Sequence, residues 1–304
     1  MNKYILPDII FRKEFADFSK NPFVRMTQYV KNGLKEYKKE YDSNTLSNIL
    51  KYKEFIEISR LLKESGFREF VPIKGMYLLN TLFYDYSGLR PMSDIDFLFS
   101  PNEYKKIALF LKNHPELEPA KGKHSFSEHG FEAYVVKFHN VIIEFHSRIT
   151  TLPIAGLIDS FFKNTEETET CDGIKITVPK VEYALIAMLM HDYTASSLSN
   201  FSVRRLLEFY IVLSCADFDL LKKITSEFCL DRVLDMQLFM IWTMLEKTFF
   251  PRDSFKIYKE FSLIEKKNGM FHVKHPWKIH RKIFHGKTLP LGIKNYFASI
   301  FRKQ

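Results

Sequence analysis

The stretch Arg90-Pro91-Met92-Ser93-Asp94-Ile95-Asp96-Phe97-Leu98-Phe99 sets two acids into an otherwise apolar run. Residues i and i+2 of a strand share a face, so Asp94 and Asp96 project one way while Ile95, Phe97 and Phe99 project the other. The pattern predicts a strand over 94–99 with an apolar side that must be covered. Its acids are hard oxygen donors of the kind Mg²⁺ takes one or two at a time, alongside substrate phosphates and water. The same two residues also fit a pair of exposed strand-end acids, salt-bridged to Arg90 or Lys74.

Upstream, Phe70-Val71-Pro72-Ile73 is a short apolar run ended by Lys74-Gly75, and Met76 to Tyr86 resumes a helical pattern, which reads as strand, turn, helix. At such a turn the free backbone N–H groups and the helix dipole favour an anion, and glycine lets it come close to the backbone. Lys74-Gly75 therefore suits a phosphate, although a helix-start glycine beside a solvated lysine fits the same residues. From Tyr4 to about Leu62 the apolar residues recur at helical spacing, as in Phe55, Ile58, Leu61 and Leu62, which predicts several helices before any sheet.

Downstream, Pro101 opens a helix predicted over 102–113. Two strands follow, Phe131 to Phe138 and Val141 to His146, joined as a hairpin at His139-Asn140. Glu144 interrupts the second of them. If buried, it needs compensation such as a metal ion or a bound hydroxyl; if that face is partly wet, Glu144 and His146 simply meet solvent. After a polar stretch near 164–172, Ile174 to Val178 forms a last short strand ending at Pro179. The remainder returns to helical periodicity, clearest over 181–190, 203–213 and 233–249.

Composition narrows the class. With 46% hydrophobic and 15% aromatic residues, the chain has the makings of a packed core rather than a disordered tract. The N-terminus carries no apolar h-region, and the run Leu238 to Leu245 is too short to span a bilayer, so neither a secretory signal nor a transmembrane helix is expected. Cys171, Cys215 and Cys229 form no CxxC pair and no even set, which fits a reducing cytoplasm. The lone histidines His124, His129, His139 and His191 show no ligand spacing, so no zinc site is expected. Between Phe271 and Gln304 there are eight Lys or Arg residues and no acid. That basic tail suits an anionic partner, whether nucleic acid, acidic polymer or membrane surface, and equally suits a solvated terminal segment.

The ordered set Ile73-Lys74-Gly75, Arg90 to Leu98 and Ile143-Glu144-Phe145-His146, continuing through His191 and Arg204-Arg205-Leu206-Leu207-Glu208, resembles a known group. It is the uncharacterised bacterial nucleotidyltransferase family within the DNA polymerase beta-like superfamily, and the likeness spans most of residues 55 to 214. The resemblance implies an α+β fold: a small mixed-sheet polymerase-beta-like core, preceded by helices and followed by a helical domain. The corresponding division is a helical lead-in over 1–66, a nucleotidyltransferase core over 67–179, a helical domain over 180–268 and a basic aromatic tail over 269–304.

The resemblance further implies transfer of a nucleoside monophosphate from an NTP to an unidentified hydroxyl-bearing acceptor, with pyrophosphate leaving and Mg²⁺, or Mn²⁺ in its place, as cofactor. Asp94, Asp96 and Glu144 would be the metal-binding and catalytic carboxylates, with Glu144 also helping to deprotonate the acceptor. Lys74 and Gly75 occupy the place of the superfamily's usual Gly-Ser pair for the triphosphate, and Arg90 and Ser93 would contact phosphate or brace the acidic loop. Glu208 stands where relatives often carry Asp and receives no role. Two other readings share these features: a nucleotide-sensing or partner-binding module of the same fold, and a DxD nucleotide-sugar glycosyltransferase.

Overall fold

The computed structural model describes residues 35–120, 133–149, 154–170, 173–195, 200–244, 264–267 and 270–273. Its first long element, α1 (Lys38–Glu64), buries Asn48, Tyr52, Phe55, Ile58, Ser59 and Leu62, a stripe at helical spacing. The helix stops because Gly66 takes a φ of 89°, which costs a residue without Cβ nothing. In that conformation Gly66 N–H donates to the Lys63 carbonyl at 3.1 Å and Phe67 N–H to that of Leu62 at 3.0 Å, satisfying carbonyls the helix leaves open. Phe67 is thereby turned into the core, edge-on to Phe99 and Phe110 with ring centres 5.7 and 5.4 Å away. The several helices expected before the sheet are one helix among the described residues, and 1–34 lie outside them.

Next come β1 (Phe70–Ile73), α2 (Lys74–Thr81), a 3₁₀ segment (Tyr84–Leu89), β2 (Asp94–Phe99), the short helices α3 (Pro101–Tyr104) and α4 (Ile107–Asn113), and then β3 (Leu117–Pro119), β4 (Ala133–Phe138) and β5 (Val141–His146). The sheet order is β1-β2-β5-β4-β3. Only β2 and β5 run parallel; every other neighbouring pair is antiparallel. The sheet is therefore mixed, as the sequence predicts. Alternation along β2 and β5 gives one aromatic face: Phe97 stacks on Phe55 of α1 at 5.5 Å and on Phe145 at 6.0 Å, and Phe99 stacks on Phe70 at 5.6 Å. Each such ring is fully or nearly fully buried and contributes roughly 1.5–3 kcal/mol by leaving water.

Several boundaries differ from the sequence expectation. The helix predicted over 76–86 ends at Thr81 and a 3₁₀ segment replaces its last turn, while the helix predicted over 102–113 is two helices. Beyond α5 (Leu157–Lys163), the polar stretch near 164–172, in which the sequence predicts no strand, contains β6 (Thr165–Glu169), paired antiparallel with β7 (Lys175–Pro179). Thr-Glu-Glu-Thr-Glu has no apolar alternation to read. Backbone pairing to β7 holds it, and its glutamates stay in water.

The chain divides into two compact units, with Leu34–Ala187 in one and Met188–Gln304 in the other. The first holds the five-stranded sheet. The second contains α7 (Val203–Leu213), α8 (Phe218–Glu227) and α9 (Asp231–Met244); α6 (Val181–Ala195) runs across the division. The second unit also contains a three-stranded antiparallel sheet, order β8-β10-β9, from β8 (Asn200–Ser202), β9 (Ile264–Lys267) and β10 (Met270–Val273). The region expected as a helical domain and tail thus carries strands as well as helices. Strands of three and four residues are too short to show a period. No described helix is long and apolar enough to cross a membrane. The basic tail beyond Val273 and the end of the helix expected over 233–249 lie outside the described residues.

Candidate functional site

The site begins with α1 gripping the chain just before β2. Asn48, 1% exposed, donates through Nδ2 to the carbonyls of Ser87 and Arg90, both at 2.6 Å, and Asn44 Nδ2 donates to that of Gly88 at 3.2 Å. Gly88 must be glycine here, since a Cβ would stand 2.5 Å from both the Tyr41 carbonyl and the Thr45 hydroxyl. Held this way, Arg90 lays its guanidinium against Gly75 at the start of α2, in the space a Cβ would need; that Cβ would also stand 3.0 Å from Met92 Sδ. Two residues singled out separately in the sequence are thus in contact.

Lys74, which links β1 to α2, adopts a φ of 53°, a left-handed conformation uncommon for a residue with a Cβ. The antiparallel register places Ile73 opposite Asp96. The lysine that follows reaches across, and its Nζ lies 2.6 Å from Asp96 Oδ1. On the other side of β2, the parallel register places Asp96 beside Glu144. Glu144 and His146 are i and i+2 of β5, so the imidazole is on the same face. Its Nε2 lies 2.9 Å from Asp96 Oδ1 and 3.3 Å from Glu144 Oε2. One side-chain oxygen therefore faces both an ammonium and an imidazole. Asp94 is more exposed, at the strand's start, and hydrogen-bonds Ser93.

The electrostatics follow from this packing. Burial pushes the Asp96 carboxyl up, but the Lys74 ammonium and the His146 hydrogen bond outweigh it and hold the group well below the usual carboxylate range. Asp94 goes the other way: burial and repulsion from Asp96 and Glu144 raise it against the Ser93 hydrogen bond. The His146 hydrogen bond lowers Glu144 despite burial. Burial and the nearby Lys74 push the His146 imidazole down, yet its bonds to Asp96 and Glu144 leave it raised overall. Burial likewise works against the Lys74 ammonium, and Asp96 more than offsets it. With Asp96 ionised and acting as acceptor, the imidazole Nε2 facing it must carry the proton.

The structure therefore brings Lys74, Asp94, Asp96 and Glu144 together, and Arg90 and Gly75 meet beside them. It adds three residues that the sequence reading did not place. His146 is 7% exposed rather than meeting solvent; the i+2 spacing from Glu144 was the available signal. Asn48 positions the loop. Lys51, one turn beyond Asn48 on α1, donates to Ser47 Oγ at 2.6 Å; burial lowers its ammonium while Asp94 pulls it back up. Away from this face, Glu54, Glu57 and His139 offer ligand atoms within 4.8 Å of one another, a grouping that sequence spacing hides. His191 is half-buried on α6, and Glu208 pairs with Arg204 one helical turn earlier at 3.4 Å.

The model of a family described as an uncharacterised nucleotidyltransferase matches residues 24–245. The chain belongs to this nucleotidyltransferase family. The match covers the whole five-stranded sheet and α6 to α9. No curated protein matches the sequence.

The donor set fits the divalent cation that nucleotidyl transfer commonly uses. Asp96 and Glu144 offer carboxylate oxygens within 4.8 Å of each other, with the His146 imidazole within the same distance of both, and Asp94 stands in the electrostatic field of both acids. Carboxylates brought this close repel, and a hard cation relieves the repulsion.

Proposed function

We propose that this nucleotidyltransferase family member transfers a nucleoside monophosphate from an NTP to a hydroxyl-bearing acceptor, releasing pyrophosphate, with Mg²⁺ as its cofactor. The observation that carries the reading is the parallel register of β2 and β5, which sets Asp96 beside Glu144 with Asp94 two residues away on the same face. Asp94, Asp96 and Glu144 would hold the cation through oxygen donors. When bound, it would neutralise the triphosphate and the charge developing in an in-line displacement.

The remaining work falls to the chain itself. Gly75, bare of Cβ at the start of α2, and the Arg90 guanidinium against it suit the triphosphate, with Ser93 exposed at the mouth of the site. Lys74, next to Gly75 in the chain, supplies positive charge and already offsets the negative charge of Asp96. Glu144 is held ionised by His146, which makes it a weak base, so its part is to hold the cation and orient the acceptor hydroxyl. In this reading the core over 67–179 carries the chemistry, and the enzyme works in the cytoplasm on soluble NTPs. The tail over 269–304, by its charge, suits an anionic partner.

The test is Mg²⁺-dependent incorporation of label from α-labelled NTPs across a panel of hydroxylated acceptors. Label should appear with the natural sequence and vanish in the Asp94→Ala, Asp96→Ala double variant. Equal labelling by both sinks the proposal. The Lys74–Asp96 ion pair favours a second reading, in which NTP is bound without turnover; tight NTP binding with no pyrophosphate release would support it.

A further inference from the structure

The three acids differ in how far they reach toward solvent. Asp94 stands at the exposed start of its strand, the Glu144 side chain is 18% exposed, and those of Asp96 and His146 are 3% and 9% exposed. A cation that shares its shell with a triphosphate must keep positions open to substrate. It therefore belongs on the side of Asp94 and Glu144, with His146 behind them.

From there the imidazole spans two strands. Nε2 is 2.9 Å from Oδ1 of Asp96 on β2 and 3.3 Å from Oε2 of Glu144 on its own strand, two residues back. Oδ1 of Asp96 also takes the Lys74 ammonium at 2.6 Å. Two donors on Oδ1 leave Oδ2 as the oxygen of that carboxylate that can accept a cation. We propose that His146 is a positioning residue that braces Asp96 and Glu144 against each other through its Nε2–H and so selects the oxygen each carboxylate offers to the metal. The inference rests on the metal-dependent reading above. Groups that orient ligands in this way typically change metal affinity by about 10–100-fold when removed, and Gln can restore an N–H donor where Leu cannot.

The experiment titrates Mn²⁺ into the metal-free full-length protein and follows it by electron paramagnetic resonance, for the natural sequence, His146→Leu and His146→Gln. The Kd should rise about 10–100-fold in H146L and return most of the way in H146Q. Pulsed spectra of the natural protein should show no nitrogen bound directly to Mn²⁺. In parallel, ¹⁵N-histidine NMR of the natural protein should show the Nε2 proton retained when Mg²⁺ is added, a readout that stands even if the Leu variant does not fold. Direct nitrogen coordination, loss of that proton on adding Mg²⁺, or an unchanged Kd in H146L overturns the positioning role while leaving the metal-dependent reading intact. Failure of the natural protein to bind either ion, with or without NTP, overturns both.

Discussion

Replacing Asn48 with Ala tests how far the fold of the acidic loop depends on α1. The amide donates two bonds of 2.6 Å, to the Ser87 and Arg90 carbonyls, from a side chain that is 1% exposed. Losing both bonds leaves two carbonyls without their donor and costs about 2–3 kcal/mol in all. Part of that returns, because Asn48 Oδ1 is buried without a hydrogen-bond partner and its removal relieves a penalty of roughly 1 kcal/mol. The expected net loss is about 1–2 kcal/mol, or roughly 3–8 °C in Tm for a unit of this size. Asn48→Asp should be worse than Ala despite its closer shape, since it aims a carboxylate at two carbonyl oxygens. Thermal and urea unfolding of the three proteins give the comparison. A Tm for N48A within 1 °C of the natural protein, or N48D as stable as N48A, would refute the clamp.

Other perturbations separate the fold from the site. Lys74→Met leaves Asp96 buried with the His146 hydrogen bond in place of an ion pair, and should cost about 3 kcal/mol near neutral pH. Because Lys74 and His146 depress the Asp96 carboxyl, its stabilising contribution is present above the ordinary carboxylate pKa and fades as pH falls through the folded value. The gap between K74M and the natural protein should therefore close in urea melts below about pH 4, and a gap that widens there contradicts the ion pair. Phe97→Ala opens the centre of the aromatic face between Phe55 and Phe145 and should cost about 3–5 kcal/mol; a loss under 1 kcal/mol by the same melts would mean that the face repacks freely. Deleting 274–304, which spares β10 and removes all eight basic residues, should lower the salt needed to elute the protein from heparin and weaken retention on anionic vesicles, and unchanged retention on both removes the docking role of the tail.

Much of the core was legible because its signals are local. Alternation within Asp94–Phe99 and Val141–His146 announced both central strands and, with them, the carboxylates. Period alone says which side chains share a face, not whether something covers it. For this reason His146 could be paired with Glu144 from sequence, while its burial beneath Asp96 could not. The Lys74–Asp96 contact, one of two salt bridges left open in the sequence, depends on an antiparallel register that residues 22 positions apart cannot reveal by themselves. Asn48 reads as an unremarked helix residue until the 3₁₀ segment is laid beside it. The β6 strand was invisible for the opposite reason: its backbone is paired, but its side chains remain solvated.

The parallel pairing of β2 with β5 has a consequence for how the protein comes to exist. Asp96 and Glu144 lie 48 residues apart and become neighbours only through that pairing. Closing a segment of this length costs on the order of 3 kcal/mol in chain entropy before any contact within it repays the loss. Hairpin β4–β5 can form early and locally, and α1 can coil on its own; the carboxylate cluster can do neither. During synthesis it stays unassembled until the chain has been extended through His146, so the concentration of charge at this place arrives with the closing of the sheet.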